Sequence, residues 1–466
     1  MAVLMNWGRI RNLVLIFAAF TASLLGQQWQ AGAAEVSITP QMPVWMAGYG
    51  SRDKPSQGVA QELHAKALAI DDPSGSRVVI VTSDLIGFVR DVSEAIGEQA
   101  RQRFELPRER LVLTSSHTHT GPTLGRSLRV MYDLTPEQAQ AVENYTQYLQ
   151  GQVVEVIGKA IANLAPAGLT FHRGQAGFAM NRREETPNGV KLGVNPSGPV
   201  DHDVPALRVS SPEGKLLAVL FSYACHNTTL TGNHYEFHGD YAGEAQQRFE
   251  SDHPGVVALF MMGCGGDANP QPRGEMAHVE QNGKELAAAV AAAIGGDGQT
   301  VEGRLRADLI HFPIPLAPAP SRSEFEARAQ DPDRFVRRHA AQQLELLAGD
   351  GKLPNDYPYP LQAVQLGGAV TLVALGGEVV VGYGLQLKQQ LGEESTWPVA
   401  YANDVFAYIP TKEILSEGGY EADRSQIYYG LPGAWAPAIE ATILEKAVGL
   451  VNRVRTPNRP RLQRVP

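Results

Sequence analysis

Cysteine is scarce in this 466-residue chain: only Cys225 and Cys264 occur. That excludes a multi-disulfide framework, because two cysteines allow a single pairing. They stand either as that one disulfide or as two buried thiols that behave as small apolar residues. Long apolar runs are missing beyond the first thirty residues, which excludes a stable membrane span in the rest of the chain. A Lys/Arg patch is missing too, and the formal net charge is −9. This balance argues against nucleic acid or an anionic membrane surface as the main partner. There is no internal repeat, and the only compositionally biased segment is the basic, Pro-rich tail Arg453 to Pro466, expected to be disordered.

The first 34 residues read as an export signal. Arg9 and Arg11 precede the apolar stretch Leu13 to Leu25, and Ala31-Gly32-Ala33-Ala34 supplies the small residues that signal peptidase accepts. The rival reading, an uncleaved anchor, suffers because the stretch falls short of the ~20 residues that span a bilayer. The chain is therefore expected to work outside the cytoplasm, periplasmic or secreted, with its mature part starting near Ala34 or Glu35.

Strand-like runs (Val78 to Thr82, Leu111 to Thr114, Leu216 to Tyr223, Val256 to Met262) alternate with helix-like stretches. This predicts an α/β fold, a mixed sheet core flanked by helices, as a single large domain over 35–452. The clearest helix starts at Thr135-Pro136-Glu137-Gln138, a capping box with Pro at the first helical position, and runs towards Leu164. Lys284 to Ile294 reads as a second helix. Ser323 to Ala348 reads as a third, a surface helix or an insertion over the site, and Pro313 to Pro320 before it as a rigid connection.

The chemistry concentrates in short motifs. Ser115-Ser116-His117-Thr118-His119-Thr120-Gly121-Pro122 follows the apolar run Leu111-Val112-Leu113, and two residues of a strand that are two apart share one face. Both imidazoles are thus expected to point the same way, as metal ligands do. Ala224-Cys225-His226-Asn227-Thr228-Thr229 follows a second run, so two strand ends deliver nitrogen ligands to one point. A catalytic zinc takes three or four N and O ligands and keeps an open position. Glu378, after Gly376-Gly377, and the tyrosines of Tyr401 to Thr411 offer the oxygen donors. Alternatives stay open: Glu378 also suits the first turn of a following helix, and Tyr401 and Tyr420 compete with Tyr408. His234 and His238 have i, i+4 spacing but not the His-Glu-x-x-His pattern. That segment reads as a substrate-side loop, with His238 and Asp240 near the substrate, and Asp84 as a further acid at a strand end.

His-Thr-His-Thr-Gly-Pro, Cys-His-Asn-Thr-Thr, Gly-Gly-Asp-Ala-Asn-Pro, Gly-Gly-Glu and Asn-x-x-x-x-Tyr-Ile-x-Thr occur here in that order, after Ile38-Thr39-Pro40 and Met46-Ala47-Gly48-Tyr49. Together they resemble the catalytic N-terminal domain of the neutral/alkaline non-lysosomal ceramidases, from about Val36 to about Val451. The resemblance implies an exported zinc amidase that cleaves the N-acyl bond of a sphingoid base. Motif by motif, it makes His117 and His226 zinc ligands, with Glu378 and Tyr408 completing the set. His119 then stands beside the metal, placed to hydrogen-bond an oxyanion or pass a proton to the leaving amine. Arg182 matches an arginine at the reacting centre, with Arg183 as its competitor, and Asp267 falls on the substrate side.

Two departures stand out. Asn269 replaces the family's serine in Gly266-Asp267-Ala268-Asn269-Pro270, and an asparagine is no hydroxyl nucleophile, although it can donate a hydrogen bond to an amide or oxyanion. The chain also ends at Pro466, without the family's immunoglobulin-like C-terminal domain. The reading is thus a zinc-dependent hydrolase of an N-acyl amide, ceramide or a related N-acyl lipid. The alternatives are a zinc esterase or amidase for a non-sphingolipid substrate, and a non-catalytic lipid- or carbohydrate-binding relative.

Overall fold

The computed structural model describes residues 28–349 and 351–456. Most of the expected leader and the tail beyond Thr456 lie outside the described residues. Three sheets carry the fold. In the first, Leu111–Leu113, Arg77–Ser83, His64–Asp71, Gln30–Ser37 and Ala165–Pro166 lie side by side. The second runs Val257–Met262, Leu216–Tyr223, Asp203–Ser210, Gly168–Gln175, Gln299–Thr300. The third runs Leu305–Pro315, Asp356–Leu366, Val370–Leu375, Thr396–Val399. Each is mostly antiparallel and contains one parallel pair: Ile80 against Val112, Leu220 against Leu259, Leu372 against Trp397.

The strands alternate their side chains between two cores. Within Arg77–Ser83, Val79 and Val81 face the helix Pro136–Ala162, while Val78 and Ile80 face the other two sheets. This is the period-two pattern of a strand covered on both sides. The inner faces of all three sheets meet in one central core, with Ile80, Leu220, Leu259, Leu372 and Trp397 among its members. Helices cover the outer faces: Pro136–Ala162 lies on the first sheet, Asp240–Asp252 and Met276–Gly295 on the second, Val381–Leu391 and Ile439–Arg455 on the third.

The carboxyl ends of the parallel strands converge, because short connections stitch one sheet to the next. Ala400 N donates to Met262 O at 2.9 Å, and Asn403 N to Leu113 O at 2.7 Å. In open α/β sheets ligands bind outside the carboxyl ends of strands, and the segments of His117, His226, Gly266, Glu378 and Tyr401 leave the sheets at such ends.

The α/β architecture and the capping box match the expectation. Thr135 Oγ1 accepts from Gln138 N at 3.3 Å and Gln138 Oε1 from Thr135 N at 3.0 Å. Other boundaries differ. The helix expected from Lys284 begins at Met276, since Asn282 and Gly283 sit inside it. Gly283 is where the neighbouring helix comes close: a Cβ there would lie 2.4 Å from Glu244 Cγ. The third helix is two, Arg322–Arg328 and Arg334–Gly349, parted at Asp331-Pro332 because a proline cannot continue the ladder. Pro313 and Pro315 belong to the edge strand Leu305–Pro315, where a missing N–H breaks no interior ladder. The last helix runs to Arg455, past the expected start of the tail. Gln30 to Ala34, placed in the leader by the sequence, pair with Asp71 to Ala67 in the first sheet. Cys225 and Cys264 are buried free thiols, so the disulfide alternative falls.

Candidate metal centre

His117 and His119 converge through a loop rather than a strand. The strand stops at Leu113, and Ser116 N is tied to Ser83 O at 2.8 Å. His117 then takes φ +58°, a left-handed conformation costly for a non-glycine residue. Strand alternation is therefore not what aligns the two rings; the turn at His117 brings them edge to face, 4.7 Å apart. Gly48 completes the seat. Its φ is +91°, and a Cβ on it would stand 2.3 Å from His119 Nδ1. His226 is fixed by its N–H to Ala268 O at 2.9 Å.

All three rings are anchored the same way. Nδ1–H donates to a backbone carbonyl in each: His117 to Ile86 O at 2.6 Å, His119 to Gly48 O at 3.2 Å, His226 to Gly265 O at 2.8 Å. A neutral imidazole that donates from Nδ1 carries a bare lone pair on Nε2. Those lone pairs face one another, His117 Nε2 lying 3.2 Å from His226 Nε2 and 3.1 Å from His119 Nε2. Glu378 Oε2 joins them at 3.0 Å from His117 Nε2 and 3.1 Å from His226 Nε2. Burial, then the neighbouring Arg182, pushes His226 down to about 3. Burial and the other imidazoles hold His119 well below its usual value.

Three imidazole Nε2 atoms and one carboxylate oxygen thus meet, and Glu378 Oε2 is a buried oxygen without a hydrogen-bond donor. Such a group is costly unless a cation sits among the acceptors. Tetrahedral zinc with bonds of ~2.0–2.1 Å separates its ligands by about 3.3 Å, close to the spacings here. The three histidines can hold a metal ion, and the donor set fits one. His119 is part of this group of nitrogens rather than set back from it, and it alone of the three is half-exposed.

Tyr408 Oη lies 3.0 Å from His226 Nε2 and accepts from Arg182 Nη2 at 3.0 Å. Tyr401, with φ +54°, instead packs its ring 4.3 Å from that of His117, and Tyr420 packs 5.4 Å from Tyr408. Arg182 faces inward, since Nη1 also donates to Asn269 Oδ1 at 3.3 Å and Nε to Glu421 Oε1 at 2.8 Å. Arg183 turns away, to Glu421 Oε2 at 2.7 Å and Glu417 Oε2 at 2.9 Å.

Three residues expected near the substrate make their polar contacts within the chain. His238 and Asp240 are buried, and the chain itself uses their polar groups. His238 Nδ1 accepts from Asp240 N at 2.8 Å, and the Asp240 carboxylate accepts from the backbone of Thr229, Leu230 and Tyr241. Asp267 Oδ1 caps the helix Val381–Leu391 by accepting from Val381 N at 2.8 Å, and burial lifts its carboxyl to about 6. In the structure these three side chains hold backbone N–H groups of loops and of a helix start. Asp84 likewise holds His64 N at 2.9 Å.

Sequence reasoning missed Tyr429, whose hydroxyl donates to Glu378 Oε1, and Glu421, which holds both arginines. No spacing in the sequence joins Tyr429 to Glu378. A doubled arginine with a buried carboxylate partner is the only hint of Glu421.

Fold and site together define an α/β protein with a buried centre, at its strand ends, able to hold a metal ion. Residues 29–301 match the family model described as neutral/alkaline non-lysosomal ceramidase, N-terminal, and the chain belongs to that family. Curated relatives include the neutral ceramidases of Pseudomonas aeruginosa, 25% identical over 56% of this chain, and of Mycobacterium tuberculosis, 24% identical over 50%. Those matches span 39% and 38% of the relatives' own length. The fold is that of the solved Pseudomonas aeruginosa neutral ceramidase, with a TM-score of 0.72 at 20% identity, covering 92% of this chain and 75% of that one. A ceramidase solved in complex with C2 matches equally, with a TM-score of 0.72 at 19% identity.

Proposed function

We propose that this chain is an exported, zinc-dependent hydrolase that cleaves the N-acyl amide bond of ceramide or a related N-acyl lipid. The observation that carries the reading is the meeting of three imidazole Nε2 lone pairs with Glu378 Oε2 in a buried site, with Tyr408 alongside. When bound there, zinc supplies Lewis acidity, which polarises the amide carbonyl and makes water a competent nucleophile near neutral pH. The chain's own residues do the rest. His119, whose Nε2 faces the Nε2 of His117 at 3.1 Å, would hold the ion together with His117 and His226, its ring fixed by Nδ1–H to Gly48 O at 3.2 Å. Arg182 holds the Tyr408 hydroxyl and sets a fixed positive charge beside the carbonyl oxygen as that oxygen becomes negative. Asn269, with Oδ1 held by Arg182, offers its amide N–H as a further donor.

Membership of the ceramidase family supports the amide substrate, and the likeness to a ceramidase bound to C2 agrees with it. Export rests on Arg9, Arg11 and the Leu13 to Leu25 run. No helix among the described residues is long and apolar enough to cross a membrane. The test is zinc content and ceramide hydrolysis of the purified protein beside His117→Ala and His226→Ala. Near-stoichiometric zinc and activity, both lost in the variants, support the proposal. A parent protein without metal overturns the mechanism, and zinc with ester but no amide turnover favours the esterase alternative.

A further inference from the structure

Asn269 and Arg273 both contact Thr228, two residues beyond His226. A guanidinium has no acceptor, so the Asn269 atom 3.3 Å from Arg182 Nη1 is Oδ1, and Thr228 Oγ1 donates to the same oxygen at 3.3 Å. With Oδ1 committed, Nδ2 is the free end, and among the described residues none accepts from it. Arg273 is half-buried, donates from Nε to Thr228 O at 3.0 Å and acts by its charge on the Tyr49 hydroxyl. The Tyr49 ring in turn packs 5.0 Å from that of His119.

No carboxylate among the described residues lies within 4.0 Å of the Arg273 guanidinium. Asp240, whose charge also acts on Tyr49, is committed to three backbone N–H groups. A cation without a counter-ion and an amide whose free end only donates are thus joined through Thr228, two residues beyond His226. A serine hydroxyl would accept as well as donate; this pair does neither more nor less than receive an acceptor, and the charge of Arg273 favours an anion.

Resting on the amidase reading above, we propose that the amine half of the substrate carries an anion, a carboxylate or sulfonate, received by Arg273 with Asn269 Nδ2 as second donor. The preferred substrate class is then an N-acyl amino acid or N-acyl aminosulfonate, with a neutral N-acyl amino diol turned over more slowly. The reaction stays a hydrolysis: water adds to the acyl carbon, the C–N bond breaks, and the amine nitrogen takes a proton as fatty acid and amino acid part.

The test pairs N-dodecanoylglycine with its uncharged counterpart N-dodecanoylglycinamide. In the zinc-loaded protein kcat/KM favours the charged compound by roughly ten- to a hundredfold, the scale of a charge-assisted hydrogen bond. Arg273→Met removes that preference by slowing the charged compound alone, mainly through KM, and Arg273→Lys restores part of it. Calorimetry on the metal-free protein gives an independent readout: N-dodecanoylglycine binds at least tenfold more tightly than the glycinamide, and Arg273→Met erases the difference. Equal turnover and equal binding of the two overturn the anion site and leave amide hydrolysis standing. Arg273-dependent binding with no turnover of either compound keeps the anion site and overturns the amidase reading.

Discussion

Glu378 and Tyr408 are partners in a parallel strand pair, Glu378–Val379 against Tyr408–Ile409, and both side chains reach His226 Nε2. One backbone register thus sets two oxygen donors at the same centre. Gly377 makes the register possible: its φ is +80°, and a Cβ there would stand 2.8 Å from Ala407 O.

Gly377→Ala is therefore expected to prise the pair apart. The strain costs about 1–3 kcal/mol, visible as a lower Tm. Zinc affinity, measured by competition with a chelator, falls by at least roughly tenfold, as when the groups orienting metal ligands are lost. An unchanged affinity would show that the register does not govern the centre.

Glu421 carries two buried arginines on one carboxylate, with side chains 1% exposed for Glu421, 6% for Arg182 and 5% for Arg183. Removing the carboxylate leaves two buried cations underpaired, so Glu421→Gln is expected to cost about 3–5 kcal/mol in denaturant unfolding. Glu417 meets Arg183 from a side chain 37% exposed. Glu417→Gln should cost less than about 1 kcal/mol.

Acid stability follows from His238. Burial, then the charge of His234, pushes its imidazole down to about 4, against about 6.5 in the unfolded chain. The unfolded state binds the proton more readily, so stability is full above pH 6.5 and is lost as pH falls towards 4. The loss is on the order of 3 kcal/mol. Urea unfolding of His238→Gln across this window should show a shallower slope than the parent; parallel curves would exclude His238 as the source.

Gln30 to Ala34 fill five of the eight positions of an interior strand of the first sheet, and Trp29 is buried in the central core. A chain beginning at Glu35 is expected to be less stable than one beginning at Gln28 by at least roughly 3 kcal/mol, the scale of losing one buried Trp. N-terminal sequencing of exported protein then finds the mature start before Trp29. A mature start near Ala34 in that sequencing would overturn this expectation.

The sequence by itself determined much that is local. The apolar runs at Leu216 to Tyr223 and Val256 to Met262 announce buried strands, Thr135 to Gln138 announces a helix start, and the ordered motifs single out His117, His226 and Glu378. Each signal acts over a few residues, through strand period, capping hydrogen bonds or turn sterics, so each is legible without the rest of the chain. Tertiary structure decided what those signals leave open. Arg182 rather than Arg183 faces the centre, and Tyr408 rather than Tyr401 or Tyr420 reaches His226. Asp267, His238 and Asp240 serve loops, and Tyr429 reaches Glu378 across 51 residues of chain. These outcomes depend on how three sheets meet at their strand ends. That meeting is set by the summed burial of many apolar side chains and by parallel register between distant segments, which no short stretch of sequence encodes.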